Sequence, residues 1–235
     1  MKSDIRQNLV EVKQRIAIAA AKAGRTADEI KLVAVSKTHP SDILAEAIAA
    51  GAAALGENKV QEAESKIVGL GRDATEWHLI GHLQSNKARR AVQLFDVIQS
   101  VDSIELASRL ERICGEEGSD SLSVYVQVDL AGEATKAGIP EKEIGQLTEY
   151  LAGCKRLRFD GLMIVPPYDD DAEATRPYFA RLRAIRDRLA SDRLFSNDVG
   201  ELSMGMSHDF EVAVAEGATV VRVGTAIFGE REYPV

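Results

Sequence analysis

Hydrophobic positions along this chain switch period repeatedly. Short continuous apolar runs alternate with stretches in which apolar residues recur every three or four positions. Eight of the runs read as strands: residues 32–36 (LVAVS), 54–56, 77–81 (WHLIG), 97–101 (VIQSV), 123–130 (SVYVQVDL), 161–165 (GLMIV), 201–204 and 220–224. Most are β-branched or apolar and bounded by Gly, Asp, Ser or Pro, the form of parallel strands buried on both faces. The second is the weakest, because Ala and Gly dominate it. Helical patterns fall between them at 40–50, 59–70, 85–94, 103–115, 141–152, 172–192 and 207–215. Ser103 and the Ser207-His208-Asp209 step have the chemistry of helix N-caps. Eightfold β–α alternation predicts an α/β chain folded as one (β/α)8 TIM barrel over residues 1–235. An open flavodoxin-like sheet is the competing arrangement, and it needs fewer strands. An extra N-terminal helix, about 5–23, is expected to plug or flank the bottom of the barrel.

Composition narrows the partners. The 235 residues are 45% apolar and 28% charged, with a formal net charge of −8, which argues against a nucleic-acid surface and against an anionic membrane. The first 15 residues are polar and contain no secretory core. Cys114 and Cys154 have neither metal-ligand spacing nor a disulfide framework pattern. The expectation is a cytoplasmic protein with reduced thiols, a monomer, with no metal.

In a (β/α)8 barrel the chemistry sits at the C-terminal ends of the strands. Those ends carry Lys37-Thr38, Glu57-Asn58, His82-Leu83-Gln84, Asp102, Asp129, Pro166-Pro167, Ser203 to Ser207, and Arg222 to Thr225. Lys37 is either a solvated lysine at a strand end or an amine held in a partly dry mouth, where its neutral form can make an imine. The last two ends favour the second reading. Ser203 can offer a hydroxyl, Gly224 and Thr225 can offer backbone N–H groups, and a helix near Ser207 would add its dipole, as phosphate sites after the last two barrel strands do. Ser207 itself reads as a cap first and a ligand second. Arg222 shares the facing of Gly224 in an apolar strand. It is expected to point inward and to need an acceptor, either a ligand ring nitrogen or an acidic side chain. His78 reads as a hydrogen-bonded core residue, and His82 with Gln84 as pocket rim. His39 and His208 read as loop or first-turn residues, and Asp169–Asp171 as a solvated loop. Lys136 lies in a loop beyond strand five, either a pocket edge or plain surface.

Taken together, VAVSKT around Lys37, GENKVQE at 56–62, WHLIGHLQSNKAR at 77–89, GLM at 161–163, LSMGMSHDF at 202–210 and RVGTAIFGER at 222–231 resemble the pyridoxal phosphate homeostasis protein family over essentially the whole chain. The resemblance implies a fold-type III barrel like the N-terminal domain of alanine racemase, binding pyridoxal 5′-phosphate. Carried over, it makes Lys37 the Schiff-base residue and sets Arg222 against the pyridine nitrogen. It puts Ser203, Gly224 and Thr225 around the phosphate and Asn58 in the pocket wall.

A guanidinium facing that nitrogen disfavours its protonation, so the ring becomes a poorer electron sink. A racemase also needs a base on the opposite face. In the alanine racemase family that tyrosine comes with a further β-domain, for which Tyr233 in the polar tail is no substitute. The expectation is therefore a carrier with no catalytic residues, which maintains vitamin B6 and so amino- and keto-acid pools, with apo-enzymes that use the cofactor as recipients. The alternatives are an amino-acid racemase or lyase, and a Schiff-base aldolase acting on a sugar phosphate.

Overall fold

The computed structural model describes residues 4–132 and 137–229. Parallel strands β1 (Lys31–Val35), β2 (Ala54–Glu57), β3 (Glu76–Leu79), β4 (Val97–Val101), β5 (Leu122–Asp129), β7 (Leu157–Met163), β8 (Glu201–Ser203) and β9 (Val220–Val223) run in the order β4-β3-β2-β1-β9-β8-β7-β5. A β4–β5 pairing closes the ring, so the eight strands form a barrel and not an open sheet. The two-residue β6 (Ile139–Pro140) adds only to the end of β5.

Helices α1 (Ile5–Lys22), α2 (Ser41–Ala49), α3 (Val60–Leu70), α4 (Ala88–Leu94), α5 (Ile104–Glu117), α6 (Ile144–Ala152), α7 (Arg176–Ser191), α8 (Phe210–Ala215) and α9 (Thr225–Phe228) accompany it. Their apolar stripes explain the packing. Helix α1 buries Ile5, Leu9, Val12, Ile16, Ala19 and Ala20, a helical spacing that presents one face to the wall. It packs on α8 and α9, with Asn8 Nδ2 donating to the Ile227 carbonyl at 2.8 Å and Arg15 stacked 4.6 Å over the Phe210 ring. It therefore flanks the barrel and does not plug its lower mouth. No helix among the described residues is long and apolar enough to cross a membrane.

Inside the ring, Val33, Ala54, Val97, Tyr125, Met163 and Val220 form an apolar layer separate from the main core between strands and helices. Polar residues sit on either side of it. At the N-terminal mouth, Lys31, Glu76, Ser123, Tyr125, Asp160 and Glu201 line a cavity of about 340 Å³. Lys31 pairs there with Glu76, and Tyr125 Oη donates to Glu201. Arg222, Ser203 and Gln99 occupy the other side, towards the C-terminal ends.

Three local expectations shift. Strand β7 starts at Leu157, four residues before the expected 161. Helix α8 starts at Phe210, not at 207, with Asp209 as its cap residue. The short α9 after Gly224 was not expected at all.

Candidate functional site

Strand alternation decides which side chains enter the barrel. Val33 belongs to the lumen layer, and the ladder continues past Val35 through Ser36 N–H donating to the Gly56 carbonyl at 3.0 Å. Lys37 therefore shares the parity of Val33 and Val35 and comes half-buried to the C-terminal mouth. Asn58 holds the same parity beyond β2 and is also half-buried. Its backbone is crossed so closely by Gly81 that a Cβ there would stand 2.3 Å from the Asn58 carbonyl oxygen. Gly224 is pressed on β1 in the same way, since a Cβ would meet the Val35 carbonyl at 3.3 Å.

Arg222 lies beside Val33 in the β1–β9 register and is 3% exposed. Its Nη1 donates to Ser203 Oγ at 2.7 Å and its Nη2 to the Ile164 carbonyl at 2.8 Å, which uses two of its five N–H donors. Neither acceptor is a carboxylate. Burial pushes its pKa down to about 10, against the opposing pull of Asp209, so the guanidinium is still charged at neutral pH.

Ser203 passes the contact on. Its hydroxyl donates to Gln99 Oε1 at 2.6 Å, and Gln99 Nε2 donates to His78 Nδ1 at 2.8 Å. With Nδ1 accepting, the proton of a neutral His78 sits on Nε2, which lies 3.4 Å from Glu76 Oε1. Burial holds His78 below its usual pKa, in keeping with the neutral ring. A polar column thus runs Arg222–Ser203–Gln99–His78 through the apolar lumen, with the donor at the Arg222 end of each step, and Glu76 stands 3.4 Å beyond it.

Ser203 is fully buried in this column, accepting from Arg222 and donating to Gln99. Ser207 stands at the turn after β8. Its Oγ accepts from the Gly224 amide at 3.1 Å and the Ala226 amide at 3.3 Å, joining the loop after β8 to the start of α9. It is a cap, as its chemistry suggested, but of α9 and not of α8. Thr225 is exposed at the same turn. Gly205 makes the turn possible: its φ is +92°, and a Cβ would meet Ala213 Cβ at 2.6 Å and Phe210 Cα at 2.9 Å.

Around this centre, His82 Nδ1 lies 3.4 Å from Asp102 Oδ2 at the rim, and burial raises the Asp102 carboxyl. His39 stacks on Phe228, and His208 meets Tyr168 in a tilted ring contact. Asp171 caps the turn at 172–175 through the Glu173 amide. Lys136 falls outside the described residues. Among the described residues no three His, Cys, Asp or Glu side chains are grouped to hold a metal ion.

Sequence reasoning did not single out Gln99, nor the Glu57, Glu62 and Lys66 cluster behind Lys37. The signal for Gln99 was a glutamine inside an otherwise apolar strand. The signal for Lys66 was a lysine on the α3 stripe that buries Val60, Ala63 and Ile67.

Residues 7–232 match the family model described as alanine racemase, N-terminal domain. The pyridoxal phosphate homeostasis protein of Aquifex aeolicus is 40% identical over 227 residues, covering 97% of this chain and 98% of that protein. Its Escherichia coli K12 counterpart is 41% identical over 235 residues, 98% of each chain. Among solved structures, PipY of Synechococcus elongatus with PLP bound superposes with a TM-score of 0.84 at 39% identity, covering 96% of this chain and all of that one. The likeness extends over barrel and mouth alike, and the chain belongs to the pyridoxal phosphate homeostasis protein family, within the alanine racemase N-terminal domain fold.

Proposed function

We propose that this protein binds pyridoxal 5′-phosphate at the C-terminal mouth as a Schiff base with Lys37, and that it maintains the cellular supply of that cofactor without substantial turnover. The residues fit the group. Lys37 brings an amine into the mouth on the inward parity of β1. Arg222 offers donors from inside the barrel, suited to the ring nitrogen. The Gly224 and Ala226 amides already converge on one oxygen, Ser207 Oγ, so the same turn can satisfy oxygens of a phosphate. Asn58 and Thr225 complete the wall. When bound, the cofactor supplies an aldehyde that condenses reversibly with an amine and loses water.

One observation carries the reading of carriage over catalysis. Arg222 is buried and charged, and it is anchored by a hydroxyl and a carbonyl, not by a carboxylate. A ring nitrogen facing that guanidinium stays unprotonated, which weakens the electron withdrawal that racemases and lyases exploit. The names and contents of relatives support the cofactor: proteins about 40% identical are called pyridoxal phosphate homeostasis proteins, and PipY was solved with PLP bound.

The test is spectroscopic. Protein loaded with pyridoxal phosphate should be yellow, lose its visible band on borohydride treatment, and then carry the cofactor's mass on the peptide containing Lys37. Lys37→Ala should lose both. A loaded, borohydride-treated protein with Lys37 unmodified would overturn the assignment, and a colourless protein that traps a sugar phosphate instead would mark an aldolase. Incubation with an apo-transaminase then asks whether transfer outruns release into solvent.

A further inference from the structure

Behind Lys37, outside the barrel wall, lies a buried ion cluster that the binding site does not touch. Lys66 comes from α3 and is 5% exposed. Its Nζ reaches Glu57 Oε1 at 2.8 Å, Glu57 Oε2 at 2.9 Å, Glu62 Oε1 at 2.7 Å and the Ser36 carbonyl at 2.9 Å. Ser36 Oγ donates to Glu57 Oε1 at 2.6 Å, and the Thr38 amide donates to Glu62 Oε1 at 2.5 Å. The cluster therefore grips the chain at residue 36 through a carbonyl and a hydroxyl, and at residue 38 through an amide. Lys37 is the single residue between the two grips.

What the grip holds is not a relaxed loop. Thr38 has φ +71°, a left-handed conformation uncommon for any residue with a Cβ and more so for a β-branched one. Such a conformation persists only when its surroundings over-determine it, and strain of this kind gathers at functional sites. The cluster is also an expensive way to fill a helix–strand interface. Glu57 is completely buried, and burial drives its carboxyl upward against the pull of Lys66. Apolar side chains of similar volume would pack there at no desolvation cost. Specificity for one backbone path explains the ions; general cohesion does not.

We propose that Glu62, Lys66 and Glu57 are positioning residues that fix the backbone on both sides of Lys37, so that its amine meets an aldehyde in a reactive geometry. The inference rests on the reading of Lys37 as the cofactor-bearing residue. Glu62 is the residue to vary, because its side chain is 29% exposed and its loss leaves the Lys66–Glu57 pair intact. Glu62→Ala removes the acceptor of the Thr38 amide, whereas Glu62→Gln keeps an oxygen for both Thr38 and Lys66.

Two readouts are needed. In cofactor-free protein, hydrogen exchange of the peptide spanning residues 36–39 should accelerate in Glu62→Ala and return towards the parent in Glu62→Gln. With pyridoxal phosphate added, growth of the visible band should slow by about ten- to a hundredfold in Glu62→Ala, the scale expected when a reacting group is misplaced by about 1 Å. Glu62→Gln should recover to within about threefold, with the melting temperature of both variants close to the parent. Unchanged exchange would show that the clamp does not hold the loop. Faster exchange with an unaltered capture rate would show that it does not position the amine. Either result overturns the proposal. Failure of the cofactor reading is separately visible, because the unsubstituted protein would then carry no borohydride-fixed label on Lys37.

Discussion

Replacing Gln99 by leucine tests the polar column directly. Gln99 is fully buried on β4, and its amide makes two contacts, accepting from Ser203 and donating to His78. Leucine is close in volume, so no large cavity or overpacking follows. Two polar groups lose their partner: the Ser203 proton and His78 Nδ1, on residues that are themselves fully buried. Each orphaned group costs about 1–3 kcal/mol, about 4 kcal/mol for the two, and leucine's own burial returns about 1.5 kcal/mol. The expected net loss is about 2.5 kcal/mol, which for a chain of this size lowers the melting temperature by about 5–10 °C. Urea unfolding of the cofactor-free protein followed by circular dichroism measures it. A leucine variant within about 1 kcal/mol of the parent would mean that the column carries little energy, and the account of how Arg222 is anchored would fail with it.

Gly205→Ala should be destabilising by about 1–3 kcal/mol in the same unfolding assay, because a Cβ at φ +92° would press on Ala213 Cβ and on the Phe210 backbone; a neutral result would show that the turn beside Ser207 is soft. The lower mouth predicts a pH dependence. Glu76, held down to about pKa 2 first by its hydrogen bond with His78 and further by Lys31, has a folded value below the ordinary 4.5. Its ionised form therefore stabilises the fold above about pH 4.5, and that contribution fades as the pH falls towards about 2. The stability gap between the parent and Glu76→Gln should shrink between about pH 5 and pH 3, and a gap that does not change with pH would refute the pairing.

The barrel was legible because its strands are buried on both faces and so write themselves as apolar runs. Even the weak run at Ala54 forms a ladder, since its neighbours on either side, β1 and β3, fix its place. Strand β7 was placed late for a physical reason. Its first half reads Leu-Arg-Phe-Asp, an alternating pattern in which Asp160 faces the polar lower cavity and bonds Ser123 at 2.6 Å. A search for continuous apolar residues passes over such a stretch. The inward facing of Arg222 was legible from alternation, and its place beside the lumen residue Val33 agrees with it. Gln99 was not legible because alternation gives a facing but not a partner: the Ser203 hydroxyl that it accepts from is 104 residues away.

The two groups that matter most at the mouth are held by unrelated means. Arg222 is held from within, by side chains strung through the lumen to the opposite mouth. Lys37 is held from outside, by backbone contacts to a buried ion cluster on α2's neighbour α3. Neither network shares a residue with the other, and neither uses the turn at Ser207 that closes on Gly224 and Ala226. A flexible capture site would need only the turn and a mobile lysine. On the proposed reading, reversible capture of an aldehyde without chemistry on it calls for a fixed amine and a fixed cation, because release is as geometry-dependent as capture. The molecule commits buried charge and a strained threonine to those two positions, and it leaves Thr225 and the rim histidine His82 exposed.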